Sequence, residues 1–140
     1  MKNNVIFLDV ENEKVDVVDM GEDIYNTTNF NKKLDCMMID ILPVHIGIAR
    51  RGFVIVCDKD WMDKDLKKLK ISAINDNAEP VLYGNLIVCQ RMYGMPGALT
   101  DEEVEYLRPF FRMASTTVHP VGYPMLTQCH LRNALQRPFS

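Results

Sequence analysis

The sequence lacks the long apolar runs and recurring motifs that identify several large classes of protein. No run approaches the roughly 20 apolar residues of a membrane-spanning helix. The N-terminal segment has one lysine, a short apolar run and early acidic residues, which is unlike a secretory signal. We therefore expect a cytoplasmic protein that does not use the membrane. A dinucleotide-binding glycine motif, a Walker loop and a nucleophilic serine elbow are also missing, so no cofactor and no catalytic set is predicted.

Paired cysteines are missing as well. The four cysteines (Cys36, Cys57, Cys89 and Cys129) are widely spaced, and none belongs to a Cys-x-x-Cys pair. Three of them lie at the ends of predicted strands, where a thiol packs as a small hydrophobic group. Because no secretion signal is present, free thiols are expected rather than disulfides.

Metal-binding and nucleophilic patterns are sparse. The one local group of possible metal ligands is His119, Cys129 and His130, but adjacent side chains rarely bind the same ion, so no metal site is predicted. A cysteine could instead act as a nucleophile with a histidine as its base, and His45 is the candidate histidine. Cys57 and Cys89 end apolar strands, which favours inert thiols in the core.

Acidic residues outnumber basic residues over most of the chain. The formal net charge is −3, which argues against nucleic acid as a partner, since its phosphates attract basic proteins. From Arg112 to the end there are three arginines and no carboxylate, so this part carries +3 and the preceding part −6. This basic segment could contact the acidic part of its own molecule or face a partner.

The apolar patterns predict an α+β protein. Strands are predicted at residues 5–10, 15–20, 37–44, 53–57 and 81–89, and the first two are close enough to form a hairpin. A helix is predicted at 22–34 from the spacing of its apolar residues. Pro43 places its strand at an edge, or with a frayed end, because proline has no amide to donate. The strand at 53–57 is fully apolar and should be central.

A second helix carries the clearest local signals in the sequence. Thr100 and Glu103 have the spacing of a capping box, in which each side chain bonds the other residue's amide. Leu99 and Val104 occupy the positions of a hydrophobic staple. Pro109 cannot bond the carbonyl four residues before it, so the regular helix should cover 101–108 and end irregularly.

The segments between these elements are predicted to be mostly irregular. Residues 58–70 contain four aspartates and five lysines around Trp61; they are interpreted as a solvated loop with one helical turn, or as a basic contact patch. The Asn/Asp cluster in 71–79 predicts a turn. The turn at 93–97 should end the strand at 81–89. Residues 113–125 should be irregular, and Thr127 could cap a short helix through Leu135.

Together these features predict a mainly antiparallel sheet of about five strands with two helices packed on it. The α+β domain is assigned to residues 1–112 and a basic C-terminal extension to residues 113–140. The extension has more aromatic and aliphatic residues than disordered segments usually have. We expect it to be ordered, either on its own domain or across a second copy.

The segments "MIDILPV", "FVIVCD", "SAINDNAEP", "LYGNLIVCQ" and "LTDEEVEYLRPFF" give the sequence a family resemblance. Over residues 5–112 the chain resembles a family of small domains of unknown function found in bacteriophages, conjugative elements and the gut bacteria that host them. The most specific features are Asn75, Gly84 and the helix start at Leu99 and Thr100. The resemblance implies an α+β fold and a mobile-element origin, and no activity comes with it.

These observations lead to two hypotheses about function. The first is a non-enzymatic accessory protein of a phage or mobile element. It would bind a host protein, for example a defence or regulatory protein, or a second copy of itself. The alternative is a small enzyme or nucleotide-binding protein whose site forms only in the fold. The residues predicted to contact a partner are Arg50, Arg51, Trp61, Arg132 and Arg137.

Overall fold

The computed structural model describes residues 3–22, 24, 27–61, 64–65, 68–117 and 119–131, which contain eleven strands and two α-helices. The strands are β1 (Asn4–Asp9), β2 (Lys14–Asp19), β3 (Ile39–Ile46), β4 (Arg51–Asp58), β5 (Ile71–Ile74), β6 (Pro80–Tyr83), β7 (Leu86–Met92), β8 (Met95–Gly97), β9 (Phe111–Ala114), β10 (Tyr123–Leu126) and β11 (Cys129–Leu131). The helices are α1 (Thr27–Leu34) and α2 (Asp101–Leu107), and a 3-10 turn at Arg108–Phe110 follows α2. No helix in this part of the chain is long and apolar enough to cross a membrane.

The strands form two sheets. The larger has the order β11-β3-β4-β7-β1-β2, with β8 also paired to β7, and the smaller has the order β6-β5-β10-β9. All pairings are antiparallel except that of β5 with β10. The α+β class and the mainly antiparallel pairing are therefore confirmed. The prediction of about five strands was wrong, because it missed short strands and strands formed by distant segments.

Two cores lie on opposite faces of the larger sheet. On one face α1 packs Phe30 and Leu34 against Val54 and Val56 of β4. On the other face the smaller sheet and α2 enclose the larger core, which includes Val88, Val104 and Leu107. Val104 and Leu107 of α2 therefore share this core with Val88 of β7.

The strand predicted at 81–89 is broken at Gly84. Its first part is β6, in the smaller sheet, and its second part is β7, in the larger one. Gly84 has φ +84°, a conformation that residues with a β-carbon rarely adopt. One apolar run therefore supplies both sheets. The predicted turn at 93–97 is also shorter, since Tyr93 and Gly94 make the turn and Met95 begins β8.

The first half of the chain follows the prediction more closely. β1 and β2 form the expected hairpin, and β4 lies between β3 and β7 as a central strand. Helix α1 begins at Thr27, later than predicted, and residues 23, 25 and 26 of the predicted helix lie outside the described residues. β3 lies between β4 and β11, but β11 pairs only with Val44, His45 and Ile46. Pro43 immediately precedes that pairing.

The capping box of α2 is present. Glu103 N donates to Thr100 Oγ1 at 3.1 Å, and Thr100 N donates to Glu103 Oε1 at 2.9 Å. The regular helix ends at Leu107 and continues as a 3-10 turn that contains Pro109. The predicted irregular end is therefore confirmed, with the helix one residue shorter.

The C-terminal part is more regular than predicted. Met113 and Ala114 belong to β9, and residues 123–126 form β10, so the irregular structure predicted for 113–125 was wrong at both ends. The predicted helix after Thr127 is instead β11, which pairs with β3, while residues 132–135 lie outside the described range. Pairing with distant strands decided these conformations. Met125, Leu126 and Cys129 are fully buried in the larger core.

Candidate functional site

The predicted contact residues do not come together. Arg50 and Arg51 lie at the start of β4, and Trp61 follows its end. An eight-residue strand is about 26 Å long, so the arginines and Trp61 are at opposite ends of the larger sheet. Arg132 and Arg137 lie outside the described residues.

Arg51 connects α2 to the larger sheet. Its guanidinium carbon is 4.6 Å from the centre of the Tyr106 ring, and Nη1 lies 3.6 Å from Glu102 Oε1. Tyr106 donates from its hydroxyl to the carbonyl of Ile46 at 2.6 Å. These contacts hold the Arg51 side chain against α2.

Trp61 lines a small cavity at the other end of the sheet. Its ring stacks on Tyr83 with centroids 5.8 Å apart, and Lys64 Nζ lies 2.5 Å from Asp58 Oδ2. The cavity has a volume of about 200 Å³. Positions 62, 63, 66 and 67 of this charged segment lie outside the described residues.

Arg50 borders a larger depression beside the β3–β4 turn. Two depressions, of about 620 and 420 Å³, meet at Asn75, and we call them together the Asn75 cleft. The first is lined by Ile48, Ile74, Asn75, Asp76, Ala78, Arg112, Met113, Ala114, Ser115, Thr127 and Gln128. The second is lined by Arg50, Asn75, Pro80, Val81, Cys129, His130 and Leu131. The fold thus unites the β3–β4 turn, the β5–β6 turn, β9 and β11.

Local structure uses several polar groups of this cleft. Asn75 Oδ1 accepts hydrogen bonds from the amides of Asn77 at 2.9 Å and Glu79 at 3.0 Å. This bonding fixes the turn that the Asn/Asp cluster predicted. Thr127 Oγ1 donates to the carbonyl of Phe110 at 2.9 Å. These two side chains therefore hold the cleft in shape.

One acid–imidazole pair lies where the two depressions meet. His130 Nε2 is 3.2 Å from Asp76 Oδ1, and the histidine side chain is 23% exposed. His130 also lies directly opposite His45 on the neighbouring strand. Directly opposed residues of an antiparallel pair place their side chains on one face of the sheet. Within the described part of the chain, no hydroxyl or thiol donates to either imidazole.

The cleft also carries exposed apolar side chains. Ile48 is 89% exposed and Met113 is 65% exposed, and Arg112 lies beside Met113 in an exposed strand. Among the described residues, Ile48 belongs to neither hydrophobic core. These residues were not predicted from the sequence, because a single isoleucine in a turn carries no periodic signal.

The thiols and histidines considered from sequence are in different environments. Burial raises the pKa of Cys57 and of Cys129 to about 12 and raises the pKa of Cys89 further. High pKa values disfavour the thiolates that nucleophilic catalysis needs. His119 packs edge-on against Tyr123, away from the acid–imidazole pair. No group of three possible metal ligands occurs among the residues described.

Comparison with known proteins gave no significant match to a family model, a curated protein or a solved structure.

Proposed function

We propose that this chain is a non-enzymatic accessory protein of a phage or mobile element that works by binding a protein, for example a host defence or regulatory protein. The observation that carries this proposal is the Asn75 cleft, where the exposed side chains of Ile48 and Met113 lie on one surface. The sequence resemblance to domains of mobile elements supports the genetic setting.

The chemistry of the cleft suggests what the partner presents. Ile48 and Met113 offer apolar contact, and methionine adapts its shape to different surfaces. Arg50 and Arg112 flank this apolar area, and arginine forms bidentate bonds with carboxylates. Neither arginine forms an ion pair with a described carboxylate. A segment with an apolar side chain and nearby acidic residues matches this arrangement.

Site-specific photocrosslinking in the host cell tests the proposal. A photoreactive residue at position 48 should capture a defined protein, and Ile48→Asp or Arg112→Glu in purified protein should weaken its binding at least tenfold. Met37 provides a matched control, since it is 90% exposed and lies just before β3, at the opposite end of the sheet. Met37→Asp should leave binding unchanged. Equal capture from positions 48 and 37 would contradict the assignment of the cleft.

The pair of Asp76 and His130 supports the alternative, a small enzyme or nucleotide-binding protein. A carboxylate that contacts an imidazole can orient it as a general base. The enzyme hypothesis predicts that a nucleotide or small substrate binds the purified protein and that His130→Ala abolishes turnover. Calorimetry with a nucleotide panel, followed by product analysis, separates the two hypotheses. Turnover lost in His130→Ala but kept in Ile48→Asp would favour the enzyme.

A further inference from the structure

The outer strand of the larger sheet has an open edge. β2 pairs only with β1 among the described strands. Met20 N donates to the carbonyl of Asn3 at 2.9 Å. Hydrogen-bonded and non-hydrogen-bonded pairs alternate along an antiparallel ladder, so Asp16 and Val18 bond to β1. The amides and carbonyls of Val15 and Val17 therefore point away from β1.

A depression lies beside β2 on each face of the sheet. The one on the α1 face, about 320 Å³, is bordered by Val18, Asp19, Met20, Asn29, Lys32 and Lys33. The one on the opposite face, about 170 Å³, is bordered by Ile6, Val15, Val17, Arg108 and Phe111. An added strand gains affinity from backbone hydrogen bonds and specificity from pockets that take alternate side chains. β2 has both features.

The charge beside β2 indicates what an added strand carries on the α1 face. Lys32 and Lys33 border that depression, and neither forms an ion pair with a described carboxylate. Lys33 Nζ instead lies 5.1 Å from the centre of the Phe7 ring. A carboxylate placed beside Val18 would be attracted by both ammonium groups.

We propose that β2 pairs antiparallel with β2 of a second copy around a twofold axis at Val17. The outward-pointing backbone groups belong to odd-numbered residues, and these must face each other across the contact, so the symmetry axis passes through a residue of β2 and not between two residues. Axes at Asp16 and at Val17 give equal overlaps within Lys14–Asp19, but an axis at Asp16 would place two carboxylates directly opposite each other, which is destabilising; Val17 is therefore the axis position. The two larger sheets then become one continuous sheet.

This register also brings opposite charges of the two copies together on the α1 face. Asp16 of the second copy lies opposite Val18, beside Lys32 and Lys33, and symmetry repeats the contact. Val17 lies opposite Val17 of the second copy, on the face with the depression bordered by Arg108 and Phe111. The contact is isologous, as a twofold dimer requires. The inference does not depend on the Asn75 cleft, which is formed by other strands.

Analytical ultracentrifugation of the full chain over a range of concentrations tests the dimer. The wild-type protein should reach twice the mass of one chain. Val17→Lys places two ammonium groups across the axis, and Asp16→Lys repels Lys32 and Lys33, so both variants should sediment with the mass of one chain. Both positions are exposed, and circular dichroism checks that the variants fold. Met37→Lys should remain dimeric. The proposal would be overturned if the wild-type protein stayed a monomer at all concentrations, whether or not it bound a foreign extended peptide. It would also be overturned if both β2 variants remained dimeric.

Disulfide cross-linking tests the register. In a Cys36→Ser background, mixing the Asp16→Cys and Val18→Cys variants under mild oxidation should give a cross-linked dimer within the mixture. Either variant alone should cross-link far less, because each new thiol then faces its counterpart only diagonally, about 7–8 Å away. Equal cross-linking in the single variants and the mixture would overturn the axis at Val17.

Discussion

Gln90 Nε2 donates a hydrogen bond to Glu103 Oε1 at 2.7 Å, and the same carboxylate oxygen accepts from the amide of Thr100 at 2.9 Å. One carboxylate therefore caps α2 and fixes that helix to β7. Glu103 is 9% exposed, so water can hardly replace its carboxylate as the hydrogen-bond acceptor of Gln90 and Thr100. The start of α2 and the centre of the larger sheet are joined through this one side chain.

Removing the cap should destabilise the protein in two graded steps. Thr100→Ala should lower the free energy of unfolding by about 1 kcal/mol, because one helix-end amide loses its acceptor. Glu103→Ala should lower it by about 2 kcal/mol, since it also leaves the Gln90 amide group without its acceptor. Urea denaturation measures both, and Glu103→Gln is the control that keeps an acceptor oxygen. Equal midpoints for all three variants and the wild type would show that the cap does not contribute to stability.

Leu107 should be the most costly residue of α2 to truncate. It is fully buried in the larger core, so Leu107→Ala should lower the free energy of unfolding by about 2–5 kcal/mol. Val121 is 81% exposed, and Val121→Ala should change it by less than about 0.5 kcal/mol. A loss below half a kilocalorie for Leu107→Ala would mean that Leu107 does not anchor α2 in the core.

Alanine substitutions at Gly47 and Gly21 separate the cost of a steric clash from the cost of backbone strain. Both have positive φ, of +86° and +80°, so Ala at either position costs about 1–2 kcal/mol in backbone strain. A β-carbon at Gly47 would also lie 2.5 Å from Tyr106 Oη and 2.6 Å from Phe110, whereas at Gly21 it would meet no atom within 4 Å. Gly47→Ala should therefore destabilise by about 1–3 kcal/mol more than Gly21→Ala. Thermal unfolding of both variants would show the difference, and equal shifts would contradict the close approach of Tyr106.

The buried thiols should make the protein sensitive to alkaline pH. Burial raises the pKa of Cys57 and of Cys129 from an ordinary value of 9.0 to about 12, so both stay protonated in the folded chain while they ionise in the unfolded one. The stability they contribute is complete below pH 9 and is lost between pH 9 and about 12. Each thiol contributes a slope of about 1.4 kcal/mol per pH unit in that window.

Unfolding at several alkaline pH values measures this slope. Cys129→Ala should reduce it by one thiol's share, while Cys36→Ala should change it less, because Cys36 is only partly buried. An unchanged slope in Cys129→Ala would contradict the raised pKa of the Cys129 thiol.

In denaturant, all four thiols should react with a thiol reagent, and two missing thiols would indicate a disulfide.

Several elements were predictable because their signals lie within a few neighbouring residues. The β1–β2 hairpin, the apolar β4, the turn fixed by Asn75 and the capping box of α2 all belong to this group. The end of α2 at Pro109 followed from the missing amide of proline. In each case the pattern and the resulting structure involve the same short segment.

The site was less predictable, because exposure cannot be derived from residue type alone. Of the predicted contact residues, the structure places Arg50 in the Asn75 cleft, gives Arg51 a packing role and puts Trp61 at the far end of the sheet. Ile48 and Met113 were missed, since each is an isolated apolar residue. Their functional interest comes from lying on one exposed surface formed by distant segments.

The sequence by itself determined the α+β class, the first hairpin, the central strand and the capped second helix. Only the tertiary structure decided that the chain forms two sheets, that Gly84 divides one apolar run between them and that residues after Phe111 add β10 and β11. The physical reason is that strands of three or four residues are too short to show a period. They form because partners far along the chain supply their hydrogen bonds and bury their side chains, as β5 does for β10 and β3 does for β11.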